Sequence, residues 1–207
     1  MKLLYEDKDI LVCVKPVGVD SEKELPRLLQ QEAGGEVFCL HRLDLNVGGV
    51  MVFARNKMAA ATLSAQIARG EMIKEYVALV KGQPPAEATW EDFLFKDSRK
   101  NKVFVVKKQR AGVKQAKLVY RVLQAGERSL VHIRLFTGRS HQIRVQFASR
   151  GYPLIGDHKY GARDENKAPF LFSCRLKFWH KGKQMTFTAL PDFAENVSLE
   201  DYPWVQS

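Results

Sequence analysis

Residues 41–54 have the sequence HRLDLNVGGVMVFA, in which a polar stretch precedes two glycines and an apolar run. The run over residues 50–54 is rich in β-branched and aromatic side chains, which favours a buried strand. The glycines let the backbone turn sharply just before that strand. A turn of this kind can hold the carboxylate of Asp44 at the floor of a cleft. An ordinary loop, in which Asp44 pairs with Arg42 or caps backbone amides, would have the same spacing.

Strand and helix patterns follow one another along the rest of the chain. Strand patterns cover residues 10–15, 73–80, 90–95, 103–106, 117–123, 130–136, 170–178 and 184–189. Three helix patterns interrupt them: one with leucines at helical spacing up to Gly34, one over residues 57–69 that Asn56 caps, and one that begins at Thr137 or Ser140 and ends at Gly151. The sum predicts an α+β fold dominated by antiparallel sheet, with a meander over residues 90–136. No linker is evident, so we expect one domain over residues 1–207.

The charge balance favours a polyanionic partner. Lys and Arg number 33 against 23 Asp and Glu, which gives a formal net charge of +10. Such a charge attracts nucleic acid and speeds its association, although it also serves solubility alone. Residues 96–117 concentrate the cations, among them Lys107, Lys108 and Arg110. We expect this segment to be an arm that contacts phosphates rather than merely a solvated hairpin.

The three cysteines are odd in number, far apart and flanked by apolar residues. This pattern predicts reduced, buried thiols rather than a disulfide framework or a zinc site. The first residues include acids where a signal peptide has its apolar stretch, and no run approaches membrane-spanning length. We therefore expect a cytoplasmic protein with no membrane partner.

Residues 137–144 have the sequence TGRSHQIR, a glycine turn that leads into a helix. A helix N-terminus with two arginines, a histidine and a glutamine is an environment for anions and hydrogen bonds, although a basic exposed helix start has the same composition. Arginine at this end opposes the helix dipole. Arg139 is therefore expected to have an anionic partner elsewhere in the fold, and Asp44 is the natural candidate.

Four segments, in this order, resemble the successive motifs of the RluA family of pseudouridine synthases: HRLD at 41–44, KEYVALV at 74–80, TGRSHQIRV at 137–145, and GYPLIGD at 151–157 with Tyr160 and Gly161. Residues 10–18 resemble the opening strand and Lys-Pro-x-Gly turn of the same family. The resemblance covers nearly the whole chain. It implies a pseudouridine synthase fold: a mixed, mostly antiparallel sheet with flanking helices and a central active-site cleft.

The resemblance also implies a role for each matching position. It assigns the catalytic carboxylate to Asp44, the arginine near the flipped nucleotide to Arg42, the aromatic that stacks on the target base to Tyr76, the arginine that pairs with the aspartate to Arg139, and an apolar wall of the base pocket to Ile143. By its strand pattern alone, Tyr76 would be an ordinary core tyrosine. His41 and His141 are expected to hydrogen-bond the loops rather than to take part in catalysis.

The implied activity is isomerisation of uridine to pseudouridine in structured ribosomal or transfer RNA. The bond from ribose C1′ to uracil N1 breaks, the base turns, and C1′ joins C5. This reaction needs no metal and no cofactor, because a carboxylate suffices, either as a nucleophile or as a base that drives elimination. The expected partner is RNA rather than DNA, and the simplest expectation for the oligomeric state is a monomer.

Two departures from the family pattern bear on this interpretation. Residues 45–48 stand where relatives usually have a Thr-Ser pair, and residue 1 is expected to open the catalytic domain itself, where many relatives carry a small basic RNA-binding domain in front. A protein of the same fold that binds RNA without modifying it is the alternative, although the presence of both Asp44 and Arg139 argues against it. A metal-dependent nuclease needs clustered acids, and none is nearer to Asp44 in sequence than Glu36.

Overall fold

A computed structural model describes residues 1–199 and Trp204. These residues form eleven strands and three α-helices. The strands are β1 (Lys2–Glu6), β2 (Ile10–Lys15), β3 (Phe38–Cys39), β4 (Gly48–Ala54), β5 (Ile73–Lys81), β6 (Glu87–Asp97), β7 (Lys102–Val106), β8 (Val113–Gln124), β9 (Arg128–Leu135), β10 (Leu171–His180) and β11 (Lys183–Thr188). The helices are α1 (Glu24–Ala33), α2 (Lys57–Ala68) and α3 (Gln142–Ala148).

One sheet contains all of these strands, in the order β1-β2-β4-β10-β5-β9-β8-β6-β7, with β3 on β4 and β11 on β10. The pairs are antiparallel except for β4 and β10, which run parallel where Gly48 and Gly49 face Phe172 and Ser173. The prediction of a mixed, mostly antiparallel sheet is confirmed. The predicted meander is wrong, because β8 pairs with β6 instead of β7. With five residues, β7 is too short to match the twelve of β8, and it stays at the sheet edge.

The end of α1, at Gly34 with φ 68°, and the start of α2 follow the predicted local chemistry. Asn56 caps α2 as predicted, since its side chain accepts a hydrogen bond from the Ala59 amide at 2.8 Å. The predicted start of α3 is wrong: neither Thr137 nor Ser140 caps it, and His141 precedes it in the left-handed region at φ 50°. The Thr137 side chain instead bonds the Lys117 amide of β8 at 2.9 Å, so it holds the loop to the sheet.

The core lies on both faces of the sheet. On one face α1 and α3 cover a cluster that contains Met51 and Phe53 of β4, and on the other face α2 covers Val50 and Val52 of the same strand. Because consecutive strand residues point to opposite faces, a strand buried on both sides must be apolar throughout. This arrangement explains the uninterrupted apolar run that follows the two glycines. Among the described helices, none combines the length and the apolarity that crossing a membrane requires.

Candidate active site

A cleft of about 660 Å³ opens between the loop that precedes β4, strand β5 and the segment that leads into α3. Its walls include all five side chains that the sequence singles out: Arg42, Asp44, Tyr76, Arg139 and Ile143. These residues span about a hundred positions of the chain. The sheet brings them together because β5 lies close to the β4–β10 junction and α3 packs across the same face.

The loop after the aspartate is fixed through its backbone. The Lys15 side chain is fully buried and donates hydrogen bonds to the carbonyls of Pro16, Val19 and Leu45 at 2.9, 2.7 and 3.1 Å. Burial lowers the pKa of Lys15 to about 8, partly offset by nearby acids. The loop over residues 45–48 therefore has an anchor that does not depend on its own side chains.

The close approach of β4 and β10 fixes where this loop ends. Gly49 adopts φ 130°, and a Cβ atom there would overlap the backbone of Ser173. Only glycine allows the two strands to pair at this point. Upstream, the Val47 amide donates to the Asp44 carbonyl at 2.9 Å, which closes the turn. The turn that begins at Asp44 thus leads directly into the parallel pair.

Arg144, and not Arg139, pairs with the aspartate. Its Nη1 donates to Asp44 Oδ2 at 2.8 Å. Its Nε and Nη2 donate to the two oxygens of buried Asp157 at 2.7 and 2.8 Å, a bidentate pair. The predicted pairing of Arg139 with Asp44 is therefore wrong.

The contacts among Arg144, Asp157 and Asp44 leave one oxygen of Asp44 available. Burial alone would lower the pKa of Arg144, but the hydrogen bonds and charges of Asp157 and Asp44 raise it above its usual value, so the guanidinium stays charged. Arg144 donates three hydrogen bonds to the two carboxylates, and two of them go to Asp157. Asp44 Oδ2 is held, while Oδ1 has no hydrogen bond with any described residue. The side chain of Asp44 is 21% exposed, toward the cleft.

Arg139 lies at the cleft rim. Its Nε donates to the Gln115 carbonyl at 2.8 Å, and its backbone amide donates to the Gln142 side chain at 3.0 Å. The residue is exposed. Because α3 begins three residues later than Arg139, this arginine lies in a loop and not in the first turn of the helix.

Tyr76 and Ile143 form the apolar wall beside the carboxylate. Tyr76 is 7% exposed and Ile143 is 3% exposed, and both belong to the cluster under α3. Burial, with the Asp44 charge adding to it, raises the pKa of Tyr76 well above its usual value, so the phenol is neutral. Arg42 lies at the mouth of the cleft, where an ion pair of 2.9 Å with Glu22 holds its exposed side chain.

Both histidines of the motifs hold loops, as expected. His41 Nε2 accepts a hydrogen bond from the Val52 amide at 3.2 Å, and burial lowers the pKa of His41 to about 3, so it is neutral. His141 Nδ1 lies 2.8 Å from the Tyr160 hydroxyl, and burial lowers its pKa although the nearby Asp44 charge opposes this. Its Nε2 is 3.8 Å from Asp44 Oδ2.

The position of Arg144 within an apolar stretch was a sequence signal for its pairing. Gln142 to Phe147 of α3 are all buried, so a charged residue among them must have a partner. Arg144 lies between Ile143 and Val145, whereas Arg139 lies outside the apolar run. The acid of the GYPLIGD segment, Asp157, is that partner.

The basic arm joins the cleft through β7. Lys107, Lys108 and Arg110 are exposed between β7 and β8, and the guanidinium of Arg110 lies 5.2 Å from the centre of the Phe95 ring. The Tyr160 hydroxyl accepts a hydrogen bond from an amide of β7 at 2.8 Å and also contacts His141. The arm is thus tied to the wall of the cleft, and its contact with RNA stays a prediction.

One group of potential metal ligands lies away from the cleft, in the β1–β2 turn and the β10–β11 hairpin. Atoms of Asp7, Asp9 and His180 lie within 4.8 Å of one another. The Lys181 ammonium lies 2.7 Å from Asp7 and 3.1 Å from Asp9, so both carboxylates already pair with a cation of the chain. The three cysteines are unpaired; Cys13 and Cys174 are buried, and Cys39 is half-buried.

Comparison with known proteins agrees with this site. A family model described as RNA pseudouridylate synthase matches residues 9–149. The dual-specificity RNA pseudouridine synthase RluA of Escherichia coli is 34% identical over 209 residues, which cover 92% of this chain and 93% of RluA. An uncharacterized RNA pseudouridine synthase of Mycoplasma genitalium is 30% identical, over 97% of this chain and 72% of that protein.

A solved structure shows the same fold. Human RNA pseudouridylate synthase domain containing 1 superposes with a TM-score of 0.82 over 93% of this chain and 84% of the human chain, at 24% identity. The predicted pseudouridine synthase fold is therefore confirmed. Since the family model covers well over half of the chain and the RluA match covers nearly all of both proteins, this chain belongs to the RluA family of RNA pseudouridine synthases.

Proposed function

We propose that this chain isomerises uridines of ribosomal or transfer RNA in the cleft, with Asp44 as the reacting carboxylate. The observation that carries this proposal is the state of that carboxylate: Arg144 holds Oδ2 at 2.8 Å, Oδ1 has no hydrogen bond with any described residue, and the side chain lines the cleft. Relatives named for ribosomal RNA and for transfer RNA both match the chain. A protein that only binds RNA would gain nothing from a carboxylate that repels phosphates.

The target uridine must leave its stack before it reaches Asp44. Extrusion costs about a few kcal/mol, which contacts in the cleft must offset. Tyr76 and Ile143 supply an apolar wall for the extruded base. The exposed arginines at the rim, Arg42 and Arg139, are available for the RNA backbone, since each has only one side-chain hydrogen bond within the described residues.

The chemistry then needs one free carboxylate oxygen. Oδ1 of Asp44 attacks C1′ and displaces the uracil through N1, or it removes a ribose proton so that the uracil leaves by elimination. In both routes the detached uracil turns and C5 bonds to C1′. This step breaks the C1′–Oδ1 bond in the first route, and in the second route Asp44 returns the ribose proton. The proton on C5 is lost and N1 gains one, so the product is an isomer and no atom enters or leaves. The bond from Arg144 keeps the carboxylate oriented while the base turns.

The proposal can be tested with unmodified RNA. Purified protein is incubated with in vitro transcripts of ribosomal and transfer RNAs, and pseudouridines are mapped by carbodiimide modification and primer extension. We expect conversion at one or a few uridines without added metal or cofactor. Absence of conversion in every transcript, with a folded protein, would contradict the proposal.

We further propose that the protein acts as a monomer, because one chain supplies every side chain that the reaction uses. Sedimentation of the protein alone and with a modified transcript measures this. A dimer that dissociates with loss of activity would overturn it.

The ring and the hydroxyl of Tyr76 are predicted to have separate roles. Tyr76→Leu removes a stacking surface and should weaken RNA binding by roughly 1–3 kcal/mol. Tyr76→Phe keeps the ring, so its RNA affinity should match the wild type. Equilibrium binding and single-turnover rates on one RNA separate the two effects. Normal binding without turnover in Tyr76→Phe would assign the hydroxyl to the chemistry, most simply to the final proton transfer.

Neutralising the basic arm should weaken the electrostatic part of RNA binding. Replacing Lys107, Lys108 and Arg110 by Gln should flatten the dependence of log Kd on log salt by up to about 0.9 for each lost phosphate contact. A control triple variant removes three exposed lysines near the opposite sheet edge: Lys8, Lys57 and Lys183. Equal slopes in the two variants would identify the arm as a solvated hairpin.

A further inference from the structure

Lys74 is a cation of the cleft that the mechanism above does not use. It lies two residues before Tyr76 on β5, so both side chains point to the same face of the sheet. Lys74 is half-buried and lines the cleft. Its Nζ lies 3.9 Å from the position that a Cβ atom of Gly138 would occupy, so the ammonium lies against the loop that precedes α3.

No protein group neutralises this ammonium. Lys74 makes no side-chain hydrogen bond and no ion pair with residues 1–199 or Trp204. Burial lowers the pKa of Lys74, and no carboxylate opposes that effect. The buried cations Lys15 and Arg144 differ from it, because three carbonyls surround the first and two carboxylates hold the second.

The other groups of the cleft cannot serve as its counterion. The two carboxylates that line the cleft are Asp44, which pairs with Arg144, and Glu22, which pairs with Arg42, and neither forms an ion pair with Lys74. His41, whose pKa the charge of Lys74 helps to lower, is neutral. A partly desolvated charge without a partner costs free energy, and an incoming anion recovers it. In an enzyme that acts on RNA, the anion that enters with the substrate is a backbone phosphate.

We propose that Lys74 binds a phosphate that flanks the target uridine and so positions the nucleotide against Tyr76. This inference rests on the proposed function. Residues i and i+2 of a strand lie roughly 6.6 Å apart, so a base at Tyr76 and a phosphate at Lys74 can belong to one extruded nucleotide. Gly138 places no side chain between the loop and the ammonium. Lys74 is thus a positioning residue, separate from the Asp44 chemistry.

The test pairs protein variants with modified RNA. The variants are Lys74→Met, Lys74→Arg and the control Lys81→Met, which removes an exposed lysine from the end of the same strand. The RNA is a stem-loop with one loop uridine, taken from a ribosomal or transfer RNA that the wild type binds. It is made with natural phosphates, or with one neutral methylphosphonate on the 5′ or the 3′ side of that uridine. Kd, its salt dependence and the single-turnover rate at saturating RNA are measured.

We expect Lys74→Met to raise Kd for the natural RNA roughly tenfold or more and to lower the saturating rate by a smaller factor than it raises Kd. The slope of log Kd against log salt concentration should fall by the amount expected for the loss of about one phosphate contact. One of the two methylphosphonates should weaken binding to the wild type and to Lys81→Met but not to Lys74→Met, since the two changes remove the same contact. Lys74→Arg should restore most of the affinity. Thermal melting should show no loss, because Lys74 stabilises no partner within the protein.

Three results would overturn the inference. The methylphosphonate and Lys74→Met could have additive effects at both positions. Lys74→Met could leave Kd unchanged while it lowers the saturating rate and shifts its pH profile. The Lys74 amine would then act on the uracil during the reaction instead of binding a phosphate. Lys74→Met could also unfold the protein, which would make the role structural. If the wild type and Lys81→Met bind this RNA without isomerising it, the proposed function fails, and the binding comparison still decides the role of Lys74.

Discussion

Asp44→Asn should lower the single-turnover rate by at least about 10⁴-fold, the scale of losses when a reacting group is removed from an enzyme. The amide keeps the shape of the carboxylate but is neither a nucleophile toward C1′ nor a base at the ribose. The fold should survive, because Arg144 keeps both hydrogen bonds to Asp157. RNA affinity should be unchanged or higher, since a charge that repels phosphates is gone.

The experiment measures three quantities: the rate of pseudouridine formation on the transcript in which the site was mapped, the Kd for that RNA, and the melting temperature of the protein. Asp92→Asn is the matched control, because Asp92 is also a partly buried carboxylate paired with an arginine, Arg150, but does not line the cleft. That variant should keep its turnover. Near-native rates for Asp44→Asn would transfer the chemistry to another group and end the present assignment.

Local patterns predicted much of the fold because burial and capping act over short distances. Strand β2 has the predicted bounds, and Asn56 caps α2 where the sequence placed it. Strands β1 and β3 were not predicted, since their residues are mostly half-buried and lack an apolar run. The pairing of β8 with β6, and of β10 with β4, joins distant segments. Neither follows from the periodicity of a single strand.

The candidate site was predictable in its members but not in its pairings. The predicted residues of each motif line the cleft, because the motif either forms a helix or strand or directly precedes one, and the sheet determines where that element lies. The choice between Arg139 and Arg144 depended on where α3 begins. His141 adopts a left-handed conformation that is uncommon for a residue with a side chain, and this shifts the helix start past Arg139. The substituted loop after Asp44 is secured by Lys15, which the loop sequence itself cannot reveal.

Arg144→Lys should reduce the single-turnover rate by about 10²–10³-fold, whereas Arg139→Lys should leave the saturating rate unchanged. A lysine keeps the charge but lacks the planar fork that holds Asp157 through two hydrogen bonds and Asp44 through a third. The carboxylate of Asp44 then loses its orientation. Arg139 touches neither acid, so its replacement should change Kd rather than the chemistry.

Arg144→Lys should also destabilise the protein, because buried Asp157 loses part of its pairing. Asp157→Asn separates this effect from orientation: it weakens the anchor of Arg144 but leaves the bond to Asp44 available. The comparison uses melting temperature, Kd and single-turnover rate for all three variants on the same RNA. If orientation matters, Arg144→Lys will be slower than Asp157→Asn even where their melting temperatures agree. Should Arg139→Lys instead lose turnover while Arg144→Lys retains it, the aspartate would depend on Arg139 once RNA is bound, and the pairing described here would not be the one used in catalysis.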